Sequence, residues 1–188
     1  MMVSVALFSI VMLVCTTALL SLIDANRKAQ SLVSVMNNLN VSLDGLVRNA
    51  RMGSKFFCAN SGSSAPPSPI GVSDCDGSAQ PAGNVFAFTP FGKDPTDASQ
   101  KWVYWYDTSN AASKRLRKSE DGGASFFPLT APEVQIDDLK FYVVGSSSGD
   151  NTQPRLVMIM KGTAGGNKVK TRSTFNIQAT AVQRLLDI

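Results

Sequence analysis

Histidine is absent from the whole sequence, and with it go the commonest general base, the commonest metal ligand and the usual Ser-His and Cys-His catalytic schemes. There is no CxxC pair and no second cysteine cluster of the kind that holds zinc. Long runs of one charge are also missing. The formal net charge of +4 comes from dispersed Lys and Arg, which permits nucleic-acid binding without demanding it. From Met1 to Ile23 there is no Lys, Arg, Asp or Glu at all. Together these absences predict a non-enzymatic protein with a membrane-spanning start.

What is present fits that expectation. A chain of 188 residues holds one ordinary domain plus an appendage. Between Met1 and Ile23 the only polar residues are Ser4, Ser9, Thr16, Thr17 and Ser21, whose hydroxyls can bond back to helix carbonyls or face other helices. As a helix the segment is about 34 Å long, close to the hydrocarbon thickness of a bilayer. A secretory signal peptide has a shorter apolar core followed by a cleavage site, whereas here the helical pattern continues. Apolar residues recur at Leu32, Val35, Met36, Leu39, Leu43, Leu46, Val47 and Ala50, the spacing of an amphipathic helix. Arg48 and Arg51 suit the negative end of the helix dipole, and Gly53 is a candidate C-terminal cap, so the helix is expected to end near Met52. Asn37, Asn38, Asn40 and Gly45 predict kinking or local melting. Beyond Asn37 the stripe is expected to pack on the chain's own domain. Leu7, Val11, Val14, Leu32, Val35, Met36 and Leu39 form the face expected to assemble against like helices.

Past the helix the composition turns polar and rich in Gly and Ser. Cys58 and Cys75 flank a Ser/Pro/Gly-rich stretch and lie about 17 residues apart, a spacing suited to a loop-closing disulfide worth roughly 3 kcal/mol in the chain-entropy model. A bridge implies an oxidising compartment. Residues 54–83, with Pro66, Pro67 and Pro69, read as loop. The period then changes to two, with strands expected at 84–89, 101–106, 115–118, 126–129, 139–144, 156–161 and 169–180. In the last, Val169, Phe175, Ile177, Ala179 and Ala181 share one face while Lys168, Lys170, Arg172, Asn176 and Gln178 share the other. Asp121-Gly122-Gly123 and Ala164-Gly165-Gly166-Asn167 read as hairpin turns, so pairing is antiparallel. The expected fold class is α+β, a long N-terminal helix on an antiparallel sheet. Its divisions are a transmembrane helix over 1–23, its amphipathic continuation over 24–53, a disulfide-closed loop region over 54–83 and a β domain over 84–188.

Three stretches carry a resemblance: the opening Met1-Met2-Val3-Ser4-Val5-Ala6-Leu7-Phe8-Ser9-Ile10-Val11-Met12, the helix from Ala29-Gln30-Ser31-Leu32 to Leu43-Asp44-Gly45-Leu46-Val47-Arg48, and the closing Thr174-Phe175-Asn176-Ile177-Gln178-Ala179-Thr180. In these the chain resembles the type IV pilin and type II secretion pseudopilin superfamily, particularly its minor members. The resemblance implies a structural subunit in the bacterial inner membrane, with its C-terminal domain in the periplasm or in an extracellular filament. Its implied partners are other pilin-like subunits, met through helix packing, and a prepilin peptidase acting on the precursor. Family precursors carry a basic leader and a Gly-Phe-Thr-Leu-x-Glu type site, neither of which is in this sequence. Met1 aligns just past that Glu, and the expectation is a chain shortened by a few residues. Arg27 and Lys28 follow the span and on their own vote for a cytoplasmic C-terminal side; the implied basic leader reverses that vote.

Other residues invite sharper readings. Lys114, Arg115, Arg117 and Lys118, with Lys168, Lys170 and Arg172, form a candidate nucleic-acid contact, against which stands a solvated strand face. Trp102, Tyr104 and Tyr106 alternate with Val103 and Trp105, so one set is expected to be partly exposed and could stack on a sugar or base, although core packing with cross-strand pairing is the preferred reading. Ser119-Glu120-Asp121-Gly122 and Gly149-Asp150-Asn151 offer oxygen ligands for calcium, which some pseudopilins bind, although turn chemistry explains both. No other cofactor is expected. Asp137 and Asp138, adjacent on a strand, are expected to point to opposite faces and make a poor acid/base pair. The alternative to a filament subunit is a membrane-tethered module that reads DNA or a surface ligand through the basic and aromatic face of the sheet.

Overall fold

The computed structural model describes residues 2–62, 68–78, 80–110, 114–132, 134–164 and 172–184. One helix, α1, runs without interruption over Met2–Met52, about 76 Å at the α-helical rise. Neither the asparagines nor Gly45 breaks it. Two of the polar residues fasten it instead: Ser42 Oγ donates to Leu129 O at 3.2 Å, and Asn38 Oδ1 accepts from Ala131 N at 3.2 Å. The helix ends where expected, but not by the expected device. Gly53 lacks the positive φ of a glycine cap; a Cβ there would collide with the Phe88 ring and lie 3.0 Å from Thr89 O. Close approach of the chain to the following sheet selects glycine at this point.

Among the described residues eight strands follow. Strands β1 (Ser54–Ala59), β2 (Val85–Thr89), β3 (Trp102–Asp107), β4 (Arg115–Ser119) and β5 (Phe127–Pro128) form one antiparallel sheet in that order. Strands β6 (Val134–Val144), β7 (Arg155–Ala164) and β8 (Ser173–Val182) form a second. The class is therefore α+β as read from the sequence, with two sheets in place of one. Strand β1 lies in the stretch read as loop, and the start of the strand expected at 169 falls outside the described residues. In β8 the alternation holds, with Phe175 and Ala181 buried and Asn176 and Gln178 exposed.

The sheets meet at a seam along β6. Cys75 and Gly83 pair with Val143 and Phe141 through four backbone hydrogen bonds of 2.8 to 3.1 Å. Asp74 continues the join, accepting from Gly145 N at 3.1 Å and Ser146 N at 2.9 Å. Cys58 lies on β1 and is bridged to Cys75, with 5.8 Å between their Cα atoms. The disulfide thus links one sheet to the edge of the other, as well as closing a loop. Gly83 sits against it: a Cβ there would come within 2.5 Å of Cys58 Sγ and 2.7 Å of Ala59 O.

The core joins all three layers. Val35, Leu39, Leu43, Leu46 and Ala50 of α1 pack with Phe56, Phe86, Phe88, Tyr104, Phe141, Leu156, Met158 and Phe175. Each buried leucine of this stripe contributes roughly 1.5–3 kcal/mol of apolar transfer. A smaller cluster of Val85, Ala87, Val103 and Trp105 fills the other side of β2 and β3, covered by Phe57, Ala59 and Phe126. Strand β3 is consequently buried on both faces, so its aromatics pack in the core as preferred from the sequence, and no full aromatic set is left open for stacking. Trp105 packs edge-on against Phe126, 5.4 Å between centroids, and only Trp102 is half-exposed.

Strand β6 also departs from the expected pattern. A bulge between Ile136 and Asp138 places two residues opposite one on β7, so Asp137 and Asp138 are both exposed and do not alternate. The Tyr106 hydroxyl donates toward the carbonyls of Ile136 at 3.2 Å and Asp137 at 2.9 Å, supplying a donor where the bulge disturbs the ladder.

Candidate functional site

The residues of α1 divide into two lengths with different surroundings. Every residue from Met2 to Gln30 is exposed, including an 18-residue window of mean hydropathy 2.5 with none of its length buried. This helix is long and apolar enough to cross a membrane. The polar side chains within it close on their own backbone: Ser9 Oγ donates to Val5 O at 2.9 Å, Thr16 Oγ1 to Met12 O at 2.9 Å and Thr17 Oγ1 to Val14 O at 2.9 Å. Helical carbonyls thereby satisfy hydroxyls that hydrocarbon would leave without partners.

The expected assembly face spans both lengths. Leu7, Val11 and Val14 are 60%, 53% and 58% exposed. Val35 and Leu39 are buried, and Leu32 and Met36 are half-buried against the same core. The lower four are therefore engaged by the chain's own sheets, and the free part of the face is the apolar length bearing Leu7, Val11 and Val14.

Two of the four cations on the basic strand, Arg117 and Lys118, are compensated by ion pairs among the described residues. Arg117 Nε lies 2.8 Å from Asp107 Oδ2 across the β3–β4 pair, and Arg115 sits opposite Asp107 in the register. Lys118, one residue on and facing the other way, contacts Glu120 Oε1 at 2.6 Å and lies over the Trp102 ring. Lys114 is half-buried. Arg172 is exposed just ahead of β8 in the other sheet, and Lys168 and Lys170 lie outside the described residues.

No protein-family model, no curated protein and no solved structure matches this chain. The long N-terminal helix on antiparallel sheets is compatible in shape with a pilin-like fold.

The oxygen-rich turns are engaged in turn geometry. Asp121 accepts from Ser119 Oγ at 2.6 Å, from Ser125 N at 2.9 Å and from Ser125 Oγ, and these bonds hold its carboxyl well below the usual carboxylate range. Asp150 Oδ1 accepts from Thr152 N at 2.7 Å, beside positive φ angles at Gly149 and Asn151. Among the described residues no three His, Cys, Asp or Glu side chains converge as a metal site.

Lys101 was not singled out from the sequence. It is buried, its Nζ donates to Gly71 O at 2.9 Å, and burial with the nearby Lys55 charge pushes its pKa down. A polar residue bordering an aromatic strand gives no local sign of such burial.

Proposed function

We propose that this chain is a membrane-anchored structural subunit of a pilin- or pseudopilin-like filament, a minor member by its irregular loops. The observation that carries the reading is the division of α1. Its first 29 described residues, Met2 to Gln30, are uncovered and mostly apolar, while its remainder builds the core of the β domain. In the bilayer the uncovered length is solvated by lipid; in a filament, equivalent helices replace lipid with side-chain packing. The Cys58–Cys75 bridge supports an oxidising compartment for the β domain, such as the periplasm or the cell exterior. On this reading no residue performs chemistry, and prepilin peptidase and the assembly motor are separate proteins.

The test is cysteine crosslinking in cells expressing the full genomic locus, using Leu7→Cys and Val14→Cys in a Cys15→Ser background. A disulfide-linked dimer for each variant, extending to a ladder of multimers when the two substitutions are combined, is the expected result in the membrane or sheared-filament fraction. Monomer alone, at normal expression and with both variants in the membrane, overturns the filament reading.

A further inference from the structure

We propose that the cleft between the C-terminal end of α1 and the segment leaving β8 is a docking site for an acidic segment of a partner protein. The cleft measures about 590 Å³ and is lined by Asp44, Val47, Arg48, Arg51, Met52 and Arg184. Arg48 and Arg51 are three apart on α1 and therefore neighbours on one helix face. Arg184 is brought to them by the backbone, its N–H donating to Arg51 O at 2.7 Å. The preceding residue is tied as well, with Gln183 N donating to Pro154 O at 2.9 Å and Gln153 Nε2 to Gln183 O at 2.8 Å. The ion pairs among the described residues use Arg117, Lys118 and Lys140, so Arg48, Arg51 and Arg184 make none there. Among the described lining residues three exposed arginines stand against one aspartate, beside a formal net charge of +4 for the whole chain.

The lining chooses among anions. Guanidinium forks bind carboxylates in bidentate fashion, and the half-buried Val47 with Met52, 39% exposed, supplies an apolar surface for a neighbouring side chain. A nucleic acid calls for cations tracking successive phosphates, whereas these three are gathered at one place beside a carboxylate. If α1 crosses the membrane as proposed above, Arg51 stands about 42 Å beyond Ile23 along the helix, several Debye lengths from the headgroups. The bilayer holding the chain is then not the occupant, and the partner approaches from the membrane-distal side.

The experiment uses the full chain in zwitterionic detergent and a fluorescent peptide of alternating Glu and Leu, with a Gln-for-Glu peptide and a short DNA duplex as comparisons. The acidic peptide is expected to bind in a salt-sensitive manner and the Gln peptide not to bind. Arg48→Gln with Arg51→Gln, and separately Arg184→Gln, should each weaken binding about tenfold or more while leaving the thermal midpoint unchanged. Arg115→Gln should leave binding unaltered. Equal peptide binding by parent and variants overturns the proposal, as does DNA binding as tight as the peptide's and lost in the same variants. Crosslinking through Leu7 reads the filament proposal alone, so either proposal can fail without the other.

Discussion

The ammonium of Lys118 lies 3.6 Å from the centroid of the Trp102 ring, on the side chain that also reaches Glu120. Tyr104 and Phe127 stand 5.9 and 6.0 Å from the same ammonium, so the cation is enclosed by aromatic rings. Its role in the resting fold is therefore internal. Replacing Lys118 with Gln should lower stability by about 1 kcal/mol and shift Trp emission, followed by urea titration. An unchanged midpoint would show that the contact contributes nothing to folding.

The two lengths of α1 should respond differently to the same substitution. Leu39 is fully buried, and Leu39→Ala should cost about 2–5 kcal/mol, read as a lowered midpoint in near-ultraviolet circular dichroism. Leu7→Ala should leave that midpoint in place and weaken crosslinking between chains. A large loss of β-domain stability from Leu7→Ala would contradict the division of labour along the helix.

The bridge and Gly83 share one seam, so damage to either should loosen the same contact. Reducing Cys58–Cys75 should cost about 3 kcal/mol, measured by the thermal midpoint with and without reductant. Gly83→Ala, forced against Cys58 Sγ and Ala59 O, should destabilise the oxidised protein and increase amide exchange at Phe141 and Val143. Unchanged exchange at those two amides would mean that Gly83 does not govern the seam.

Alkaline titration should separate two buried groups of opposite sign. The Lys101 pKa is lowered from 10.5, by burial first and the Lys55 charge second. The unfolded chain thus binds the extra proton between the folded value and 10.5, and this group's contribution to stability rises with pH through that window. Burial first, and then Asp138 and Asp137, push Tyr106 from 10.0 up to about 12. Its contribution is fully present below pH 10 and is lost as pH climbs through about 12. Lys101→Met should remove the rise, while Tyr106→Phe should cost about 1–3 kcal/mol at neutral pH and flatten the alkaline loss. Thermal midpoints from pH 8 to 12 check both slopes; parallel curves for parent and Tyr106→Phe would be the contrary result.

Periodic features were legible because they are local. The stripe from Leu32 to Ala50, the helix end at Met52 and the alternation around Phe175 all follow from spacing alone. Strand β1 was hidden because Phe56 and Phe57 face two different clusters, leaving no alternation to read in a stretch crowded by Gly and Pro. The bulge at Asp137 arises from pairing with β7, and the two-sided burial of β3 from Phe57 and Phe126, neither adjacent to it in sequence. The arginine cleft was hidden for the same reason: 133 positions separate Arg51 from Arg184, and a backbone hydrogen bond brings them together. Asn38 looked like a helix weakness until Ala131 supplied its partner.

The unbroken passage of α1 from its apolar length into the core has a mechanical consequence. Tension applied near Leu7 travels down a continuous column of backbone hydrogen bonds to Leu39, Leu43 and Leu46, with no hinge in which to dissipate. At the β domain that load runs along the helix axis, shearing the buried stripe as a whole. Contacts loaded in parallel share a force that would otherwise unzip them singly, so the rod and its head should yield together or not at all.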